Sequence, residues 1–164
     1  MTAPIHLAPL QPSHRSRLES IVRATGVFTE AEVVVALELF DATDDDYEFV
    51  GAFDGDRLVG YACFGPTPST DRTYDLYWIA VHPESQRSGA GAALMTEVEL
   101  RLAQRDARLL VIETSSRPDY EPTRMFYDRR GYREAARIRD FYAPGDDRIV
   151  LAKRVAVHAP PTPA

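Results

Sequence analysis

The spacing of apolar residues predicts two helices in the first part of the chain. Apolar residues recur every three or four positions over 14–25, which is typical of an amphipathic helix. Ser13 would cap this helix and Gly26 would end it. A second helix is predicted from Thr29, because Glu32 follows three residues later and such a pair forms a capping box.

The spacing then changes to that of β-strands. Apolar and β-branched residues fill 47–53 and 57–64 on either side of Asp54-Gly55, a dipeptide typical of a hairpin turn. The next run, 73–81, is apolar on both faces, which predicts a central strand. The other predicted elements are a strand over 5–10, a helix over 89–105, a strand over 109–114, a helix over 119–130, and a closing hairpin of strands 133–142 and 147–155.

The order of these elements predicts a single α/β domain over residues 1–155. The strand–helix–strand run from 73 to 114 is expected to form a right-handed parallel crossover at the centre of the sheet. The hairpins make the rest of this mixed sheet mostly antiparallel. Residues 156–164 are rich in proline and are predicted to be a disordered tail.

Composition narrows the class of protein. The chain has 164 residues, of which 45% are hydrophobic and 27% are charged, the balance of an ordinary soluble globular protein. Its net charge of -6 gives no overall basic surface for nucleic acid. Cys63 is the only cysteine and the histidines are scattered, so neither a disulfide nor a dedicated metal site is expected.

The sequence also bears on the compartment. No apolar run approaches the roughly 20 residues that a membrane-spanning helix needs. The first residues do not form the basic and apolar segments of a secretory signal. We therefore expect a cytoplasmic protein with no membrane partner.

One segment, residues 86–92, has the most specific chemical pattern. It connects the predicted central strand to an amphipathic helix. Gly89 and Gly91 remove side chains at the helix start, where backbone N–H groups can receive a phosphate. Arg87 adds a cation that can pair with phosphate oxygens. On the glycines alone, a plain loop whose glycines permit tight packing is the commoner explanation.

Three phosphate-binding interpretations compete for this segment. A Walker P-loop needs Gly-Lys-Ser/Thr, but Ala92 follows the second glycine, which excludes it. A dinucleotide fingerprint needs a small residue where Leu94 stands, although Glu113 lies about 20 residues further on, where an acidic ribose ligand would be found. The third interpretation is the pyrophosphate site of an acyl-coenzyme A.

Two motifs resemble those of one family. The first motif is Gln86-Arg87-Ser88-Gly89-Ala90-Gly91, which follows a strand that ends in Val81-His82-Pro83. It resembles the coenzyme A signature of the GNAT superfamily of acetyl-CoA-dependent N-acetyltransferases. The second motif is Met125-Phe126-Tyr127-Asp128-Arg129-Arg130-Gly131-Tyr132. It resembles the family's second signature, which is an aromatic-tyrosine pair shortly before Gly-Phe/Tyr. The order of elements is also similar, and the resemblance covers residues 5–155.

The resemblance implies that the cofactor is acetyl-CoA and that an amine attacks its thioester directly, without an acyl-enzyme. It also implies a V-shaped splay between the strands at 77–81 and 109–114, in which the pantetheine arm lies. No metal is needed, because the thioester is already activated. The implied cofactor-binding residues are Ile79, Ala80, Val81, Gln86, Arg87, Ser88, Gly89, Ala90, Gly91, Ala92, Tyr120, Thr123 and Phe126.

Three residues are candidates for proton transfer. By its position in the second signature, Tyr127 is the general acid that protonates the departing CoA thiolate; the alternative is an aromatic residue that only packs beside Phe126. Asp75 is the lone charge in its strand and stands where the histone-modifying branch of the family has a glutamate base; the alternative is a carboxylate satisfied by local backbone. Glu113 is the other candidate base, and its alternative is an ion pair with a nearby arginine.

The acceptor is expected to be a primary amine on a small molecule or peptide. By resemblance, Phe28 and Glu30 open a helix that borders the acceptor site, and Tyr142 lies in a turn that meets amines in relatives. Tyr77 completes the predicted acceptor-binding set. Many relatives form dimers, so a homodimer is among the expected partners. Two other functions stay open at this point: a non-catalytic acyl-CoA-binding regulatory module and a dinucleotide-binding oxidoreductase.

Overall fold

The computed structural model describes residues 3–42 and 44–155. The tail predicted over 156–164 lies outside the described residues. Within the described ranges, no helix is both long enough and apolar enough to cross a membrane.

Seven β-strands and four α-helices occupy the described part of the chain. The strands are β1 (Ile5–Ala8), β2 (Glu48–Asp54), β3 (Arg57–Pro66), β4 (Thr73–Val81), β5 (Leu109–Ser115), β6 (Arg133–Ala143) and β7 (Asp146–Arg154). The helices are α1 (Arg15–Ala24), α2 (Glu30–Asp41), α3 (Ala90–Gln104) and α4 (Glu121–Asp128). Short 3₁₀ turns cover Pro12–His14, Pro83–Ser85 and Pro118–Tyr120.

The strands form one mixed sheet with the order β1-β2-β3-β4-β5-β7-β6. β4 and β5 run parallel, through a ladder that joins residues 73–76 to residues 109–112. The pairs β1–β2, β2–β3, β5–β7 and β6–β7 are antiparallel. The predicted α/β fold, with a central parallel pair in a mostly antiparallel sheet, is therefore confirmed. The V-shaped splay beyond residue 76 stays a prediction.

The described residues fall into two compact units. The first unit contains residues 3–42, 44–65 and 77–98, and the second contains residues 66–76 and 99–155. β4 and α3 therefore each contribute residues to both units.

The core of the first unit is formed by α1, α2 and the β2–β3 hairpin. Leu18, Ile21 and Val22, the apolar residues of α1, are fully buried, as their helical spacing predicts. Cys63 of β3 lies in the same core, and burial raises the pKa of its thiol to about 12. The predicted hairpin forms, but its two-residue turn is Gly55-Asp56 rather than Asp54-Gly55, because Asp54 ends β2 and pairs with Arg57; Gly55 has a φ of +58°.

α2 begins with the predicted capping box. The N–H of Glu32 donates to Oγ1 of Thr29 (3.2 Å), and the N–H of Thr29 donates to the carboxylate of Glu32 (2.7 Å). This reciprocal pair satisfies two backbone donors at the helix start. Glu30 and Glu32 also place negative charge in the first turn, which the helix dipole favours.

The predicted start of α1 is wrong, since Ser13 does not cap it. The helix begins at Arg15, after a 3₁₀ turn in which the N–H of Gln11 donates to Nδ1 of His14 (2.9 Å). Pro12 has a fixed φ that suits this tight first turn. Ser13 therefore lies inside the turn rather than at its N-cap.

The second unit is built on β5, β7 and β6 together with α4. Antiparallel pairing of β5 with β7 puts Glu113 opposite Val150. α4 ends as predicted before Gly131, whose φ of +87° is a left-handed conformation. This conformation lets the N–H of Tyr132 donate to the carbonyl of Tyr127 (3.2 Å).

Candidate active site

The connection from β4 to α3 lies in the first unit and contains the glycine motif. After β4 the chain passes through the 3₁₀ turn at Pro83–Ser85 and a further turn over 86–89. The side-chain amide of Gln86 donates to the carbonyl of Val81 (3.4 Å), which ties the turn to the strand end. Gly89 has a φ of +85°, and the space around its missing Cβ is open. Glycine at position 89 is therefore explained by the left-handed backbone conformation and not by tight packing.

Backbone N–H groups at the start of α3 are available for an anion. The first intrahelical hydrogen bond runs from the N–H of Ala93 to the carbonyl of Gly89 (2.9 Å). The N–H groups of residues 90–92 precede that bond and have no acceptor within the helix. The N–H of Ala90 donates a hydrogen bond to Oγ of Ser88 (3.3 Å), which an incoming anion would have to replace. With the positive end of the helix dipole, these donors suit a phosphate or pyrophosphate group.

The other predicted cofactor residues of this unit are Arg87 and the end of β4. Arg87 is exposed on the turn, so its guanidinium is accessible to a ligand. Ala80 is buried, and a Cβ on Gly60 of β3 would lie 2.9 Å from its carbonyl oxygen. Ile79 and Val81, on either side of Ala80, are half-buried. β3 thus approaches β4 closely because residue 60 is glycine, a role that no sequence motif marks.

Tyr127 lies on α4, in the second unit. Its side chain is buried, with a relative exposure of 4%, whereas the neighbouring Phe126 is half-buried. The two rings meet edge to face with 5.5 Å between centroids, and Tyr127 meets Tyr132 in the same way at 5.9 Å. Burial raises the pKa of the Tyr127 hydroxyl above its ordinary value, because the phenolate would lose its hydration. The hydroxyl therefore stays protonated at neutral pH, as a proton donor must.

Three more predicted cofactor contacts lie on or beside α4. The Arg130 guanidinium lies over the ring of Phe126, 3.7 Å from its centroid, and covers one face of that ring. Tyr120 is half-buried, with the guanidinium of Arg117 5.0 Å from its ring centroid. Thr123, in the first turn of α4, is also half-buried.

Arg124 holds the start of α4 and was missed by the sequence analysis. Its Nη1 donates to the carbonyls of Ser115 (2.7 Å) and Arg117 (2.9 Å). The guanidinium thereby joins α4 to the end of β5 and to the segment that follows it. An arginine on a predicted helix gives no signal of such a role, because its acceptors are backbone carbonyls.

The two candidate bases have different partners in the second unit. Asp75 is half-buried, and its Oδ2 accepts a hydrogen bond from the hydroxyl of Thr67 (2.8 Å). Glu113 is exposed and forms an ion pair with Arg148, whose guanidinium lies 4.9 Å from the ring centroid of Phe141. The arginine partner that the sequence analysis gave as the alternative for Glu113 is thus present. Arg148 would compete with any cationic amine for the same carboxylate.

Two of the predicted acceptor residues belong to aromatic pairs in the first unit. Phe28 meets Trp78 edge to face at 4.8 Å, and Tyr77 meets Tyr47 in the same way at 5.2 Å. All four side chains are half-buried against the core. Trp78 and Tyr47 could not be singled out from the sequence, because each lies in an apolar run that no motif distinguishes.

The other two predicted acceptor residues are more exposed. Arg23 donates two hydrogen bonds to the carboxylate of Glu30, at 2.6 and 2.9 Å, and so holds the pKa of Glu30 below its ordinary value. Tyr142 lies in the second unit and is 46% exposed, with its ring edge to face against Phe141 (5.0 Å). Glu30 therefore already has a cationic partner, whereas Tyr142 and Phe141 present aromatic surface.

The sequence model of the Acetyltransferase (GNAT) family matches residues 16–132. The chain belongs to this family. The match takes in both motifs on which the resemblance rested, so that prediction is confirmed. Among solved structures, a protein assigned to the GNAT acetyltransferases of Desulfovibrio desulfuricans is 42% identical, with a TM-score of 0.88, and the match covers 93% of this chain and 99% of that one. No curated protein sequence matches the chain.

More distant structures share the GNAT fold. The ribosomal-protein-S18-alanine N-acetyltransferase of Escherichia coli is 19% identical, with a TM-score of 0.78, over 98% of this chain and 99% of that one. An aminoglycoside 6'-N-acetyltransferase complexed with coenzyme A is 17% identical, with a TM-score of 0.76, over 94% of this chain and 99% of that one. At such identities the likeness shows the fold alone. These GNAT structures differ in their acceptors, so the fold does not select one.

Proposed function

We propose that this GNAT protein transfers the acetyl group of acetyl-CoA to a primary amine on a small molecule or peptide. One observation carries the proposal: within a chain of this family, α3 follows a glycine with φ +85°, and the N–H groups of residues 90–92 have no intrahelical acceptor. Family membership favours acyl-CoA over a dinucleotide as the ligand of these donors.

The residues present fit the cofactor. The N–H groups of residues 90–92 would bind the pyrophosphate, and Arg87 would pair with a phosphate oxygen. Residues 79–81 of β4 would follow the pantetheine arm. Acetyl-CoA supplies an activated thioester, whose carbonyl carbon the amine nitrogen attacks while the C–S bond breaks.

The three candidates for proton transfer would move the protons of this reaction. The neutral Tyr127 hydroxyl would give its proton to the departing sulfur, which is easier to release as a thiol. Asp75 or Glu113 would take the proton that the amine loses, directly or through water. Asp75 is the stronger candidate, because its partner is the neutral Thr67 hydroxyl, whereas Glu113 is paired with Arg148.

Thiol release from acetyl-CoA over a panel of amines tests the proposal. The panel contains amino acids, a polyamine, an aminoglycoside and a peptide with a free N-terminus, and mass spectrometry identifies the acetylated product. We expect release with at least one primary amine. A protein whose Tm rises with CoA, but which releases no thiol with any amine, is a non-catalytic acyl-CoA-binding module instead. A Tm that rises with NAD(P)H and not with CoA would support the dinucleotide interpretation.

Tyr127→Phe tests the proton donor. The substitution keeps the ring and its packing, so CoA binding is expected to be unchanged while kcat falls about 10²-fold, the usual contribution of a general acid. Tyr61→Phe, at another buried tyrosine and in the first unit, is the matched control and is expected to keep wild-type kcat. Wild-type kcat in Tyr127→Phe, with chemistry rate-limiting, would make Tyr127 a packing residue only.

A further inference from the structure

Tyr127 packs against Tyr132, which belongs to a hydrogen-bonded network with Glu99 and Lys153 in the second unit. The hydroxyl of Tyr132 donates to Oε1 of Glu99 on α3 (2.7 Å). The ammonium of Lys153 on β7 donates to both oxygens of the same carboxylate, at 3.0 and 3.2 Å. The Tyr132 ring also contacts the Tyr127 ring, with 67° between their planes.

The hydrogen bonds among Tyr132, Glu99 and Lys153 fix the orientation of the Tyr132 ring. Tyr132 is 1% exposed, and a buried hydroxyl needs a hydrogen-bond partner, which Glu99 supplies. The charge of Glu99 is compensated by Lys153, and hydrogen bonds to a charged group are the stronger kind. The Lys153 ammonium also lies 5.4 Å from the Tyr132 ring centroid, so the ring is held at its hydroxyl and on one face.

Tyr132 contacts Tyr127 through backbone as well as through its ring. The turn at Gly131 brings the N–H of Tyr132 to the carbonyl of Tyr127 (3.2 Å). A Cβ at Gly131 would lie 3.6 Å from the Cε of Lys153, so the lysine side chain passes over this turn. A rotation of the Tyr132 ring would move the surface against which the Tyr127 ring packs.

We propose that Tyr132, anchored by Glu99 and Lys153, is a positioning residue that holds the Tyr127 hydroxyl in the orientation for proton transfer. The inference rests on the proposed function, in which Tyr127 is the general acid. A proton donor works only in a narrow range of distance and direction, so a freer ring lowers the rate without removing the donor. Tyr132 itself transfers no proton in this scheme.

A double-mutant cycle between residues 127 and 132 tests the inference. Tyr132→Phe keeps the ring and removes only the anchored hydroxyl. With an amine that the panel identifies, kcat is expected to fall about fivefold, with the KM for acetyl-CoA unchanged, because a misplaced donor affects the transition state rather than cofactor binding. In a Tyr127→Phe background, the same substitution is expected to change kcat by less than about 1.5-fold, since the group that it positions is gone.

Tyr61→Phe is expected to leave kcat unchanged in either background. If Tyr132→Phe lowers kcat by the same factor in both backgrounds, or in neither, its hydroxyl does not act through Tyr127 and the inference is overturned.

A second measurement does not depend on activity. In protein labelled with 3-fluorotyrosine, the ¹⁹F resonance of Tyr127 is assigned by its loss in Tyr127→Phe. We expect this resonance to shift or broaden in Tyr132→Phe and in Glu99→Gln, but not in Tyr61→Phe. An unmoved resonance in Tyr132→Phe overturns the inference. A resonance that moves while Tyr127→Phe keeps wild-type kcat overturns the acid role of Tyr127 instead, so the two failures are distinguishable.

Discussion

The starts of α2 and α3, both in the first unit, differ in how the chain satisfies their backbone N–H groups. At α2, Thr29 and Glu32 close the helix with a capping box, and the first turn has two carboxylates. At α3, the helix follows Gly89, and its first turn has no acidic residue. The start of α2 is thus closed by a hydroxyl and carboxylates of the chain itself, whereas the start of α3 has one hydrogen bond, from the N–H of Ala90 to Ser88, and no negative charge.

The difference means that α3 lacks stabilising interactions that α2 has at its N-terminus. A capping side chain contributes about 1 kcal/mol to a helix, and a carboxylate in the first turn adds about 0.3–1 kcal/mol. α3 has no acidic residue in its first turn, although the same chain builds a complete cap at α2. A bound pyrophosphate would supply the missing negative charge, so cofactor binding and helix capping become one interaction.

Gly89→Val is expected to have the largest effect on the open start. A β-branched residue is strained at φ +85°, so the turn must move and the N–H groups of residues 90–92 lose their alignment. The loss of two charge-assisted hydrogen bonds, at about 1.5 kcal/mol each, corresponds to a fall in CoA affinity of about 10²-fold. Isothermal titration calorimetry with CoA measures it.

Gly55→Val is the matched control for this change. Gly55 also has positive φ, +58°, and open space around its missing Cβ, but it lies in the β2–β3 turn. We expect a similar loss of stability with unchanged CoA affinity. If Gly89→Val binds CoA as tightly as Gly55→Val does, the start of α3 is not the phosphate site.

Ala92→Glu tests the comparison by closing the open start. Ala92 occupies the position in α3 that Glu32 occupies in α2, the third residue of the helix. A carboxylate there interacts favourably with the helix dipole, which raises the free energy of unfolding by about 0.5 kcal/mol. The same charge repels a pyrophosphate, so CoA affinity is expected to fall about tenfold, an energy of about 1.4 kcal/mol.

The neutral variant Ala92→Gln separates charge from size. It is expected to bind CoA more tightly than Ala92→Glu and to gain less stability. Urea unfolding and calorimetry on the same three proteins give both quantities. Equal CoA affinity for the glutamate and glutamine variants would mean that no anion binds near residue 92.

Thr29→Ala opens the closed start. Removal of the capping hydroxyl is expected to lower the free energy of unfolding by about 1 kcal/mol, as at other N-caps. CoA affinity should stay at the wild-type value, because this helix start is already satisfied by the protein and binds no phosphate in our scheme. A loss of CoA affinity in Thr29→Ala would contradict the division of roles between the two helix starts.

The smallest expected effect is a pH dependence at the start of α2. Arg23 donates hydrogen bonds to Glu30 and holds the pKa of Glu30 below its ordinary 4.5. A lowered pKa in the folded state contributes stability that is present above the unfolded-state value and is lost as the pH falls through the folded-state value. The wild-type protein should therefore lose stability below about pH 4.5 more steeply than Glu30→Gln does.

The size of this pH effect is limited by solvent. The pair is exposed, so the two proteins are expected to differ little in stability, and less still at high salt. Unfolding free energies measured between neutral pH and pH 3 check the prediction. Parallel curves for the two proteins would mean that the ion pair with Arg23 contributes no stability.

Elements with local signals could be predicted from the sequence. β4 was predicted over 73–81 and is found at Thr73–Val81, because turn-forming residues border the apolar run on both sides. The start of α2 followed from Thr29 and Glu32, which are three residues apart. Ser13 failed as a cap because a 3₁₀ turn precedes α1, and the residues of that turn match a helix start equally well.

Contacts between distant parts of the chain could not be predicted in the same way. The glycine motif of α3 was found because its residues are contiguous. The partner of Glu113 is Arg148, 35 residues away, and the partner of Tyr132 is Glu99, 33 residues away. Which arginine or carboxylate meets a given side chain depends on strand register and helix packing, and a single sequence does not specify these.

The burial of Cys63 has a consequence for work at the bench. Thiol-reactive dyes attack exposed thiolates, and this thiol is both enclosed in the core and protonated. The native protein should therefore not react with such a dye, and in an assay of the proposed reaction the colour that develops should come from released CoA alone. A signal equal to the protein concentration in the absence of CoA would instead report unfolded molecules. The reactivity of the chain's single thiol therefore measures the fraction of unfolded protein in a sample.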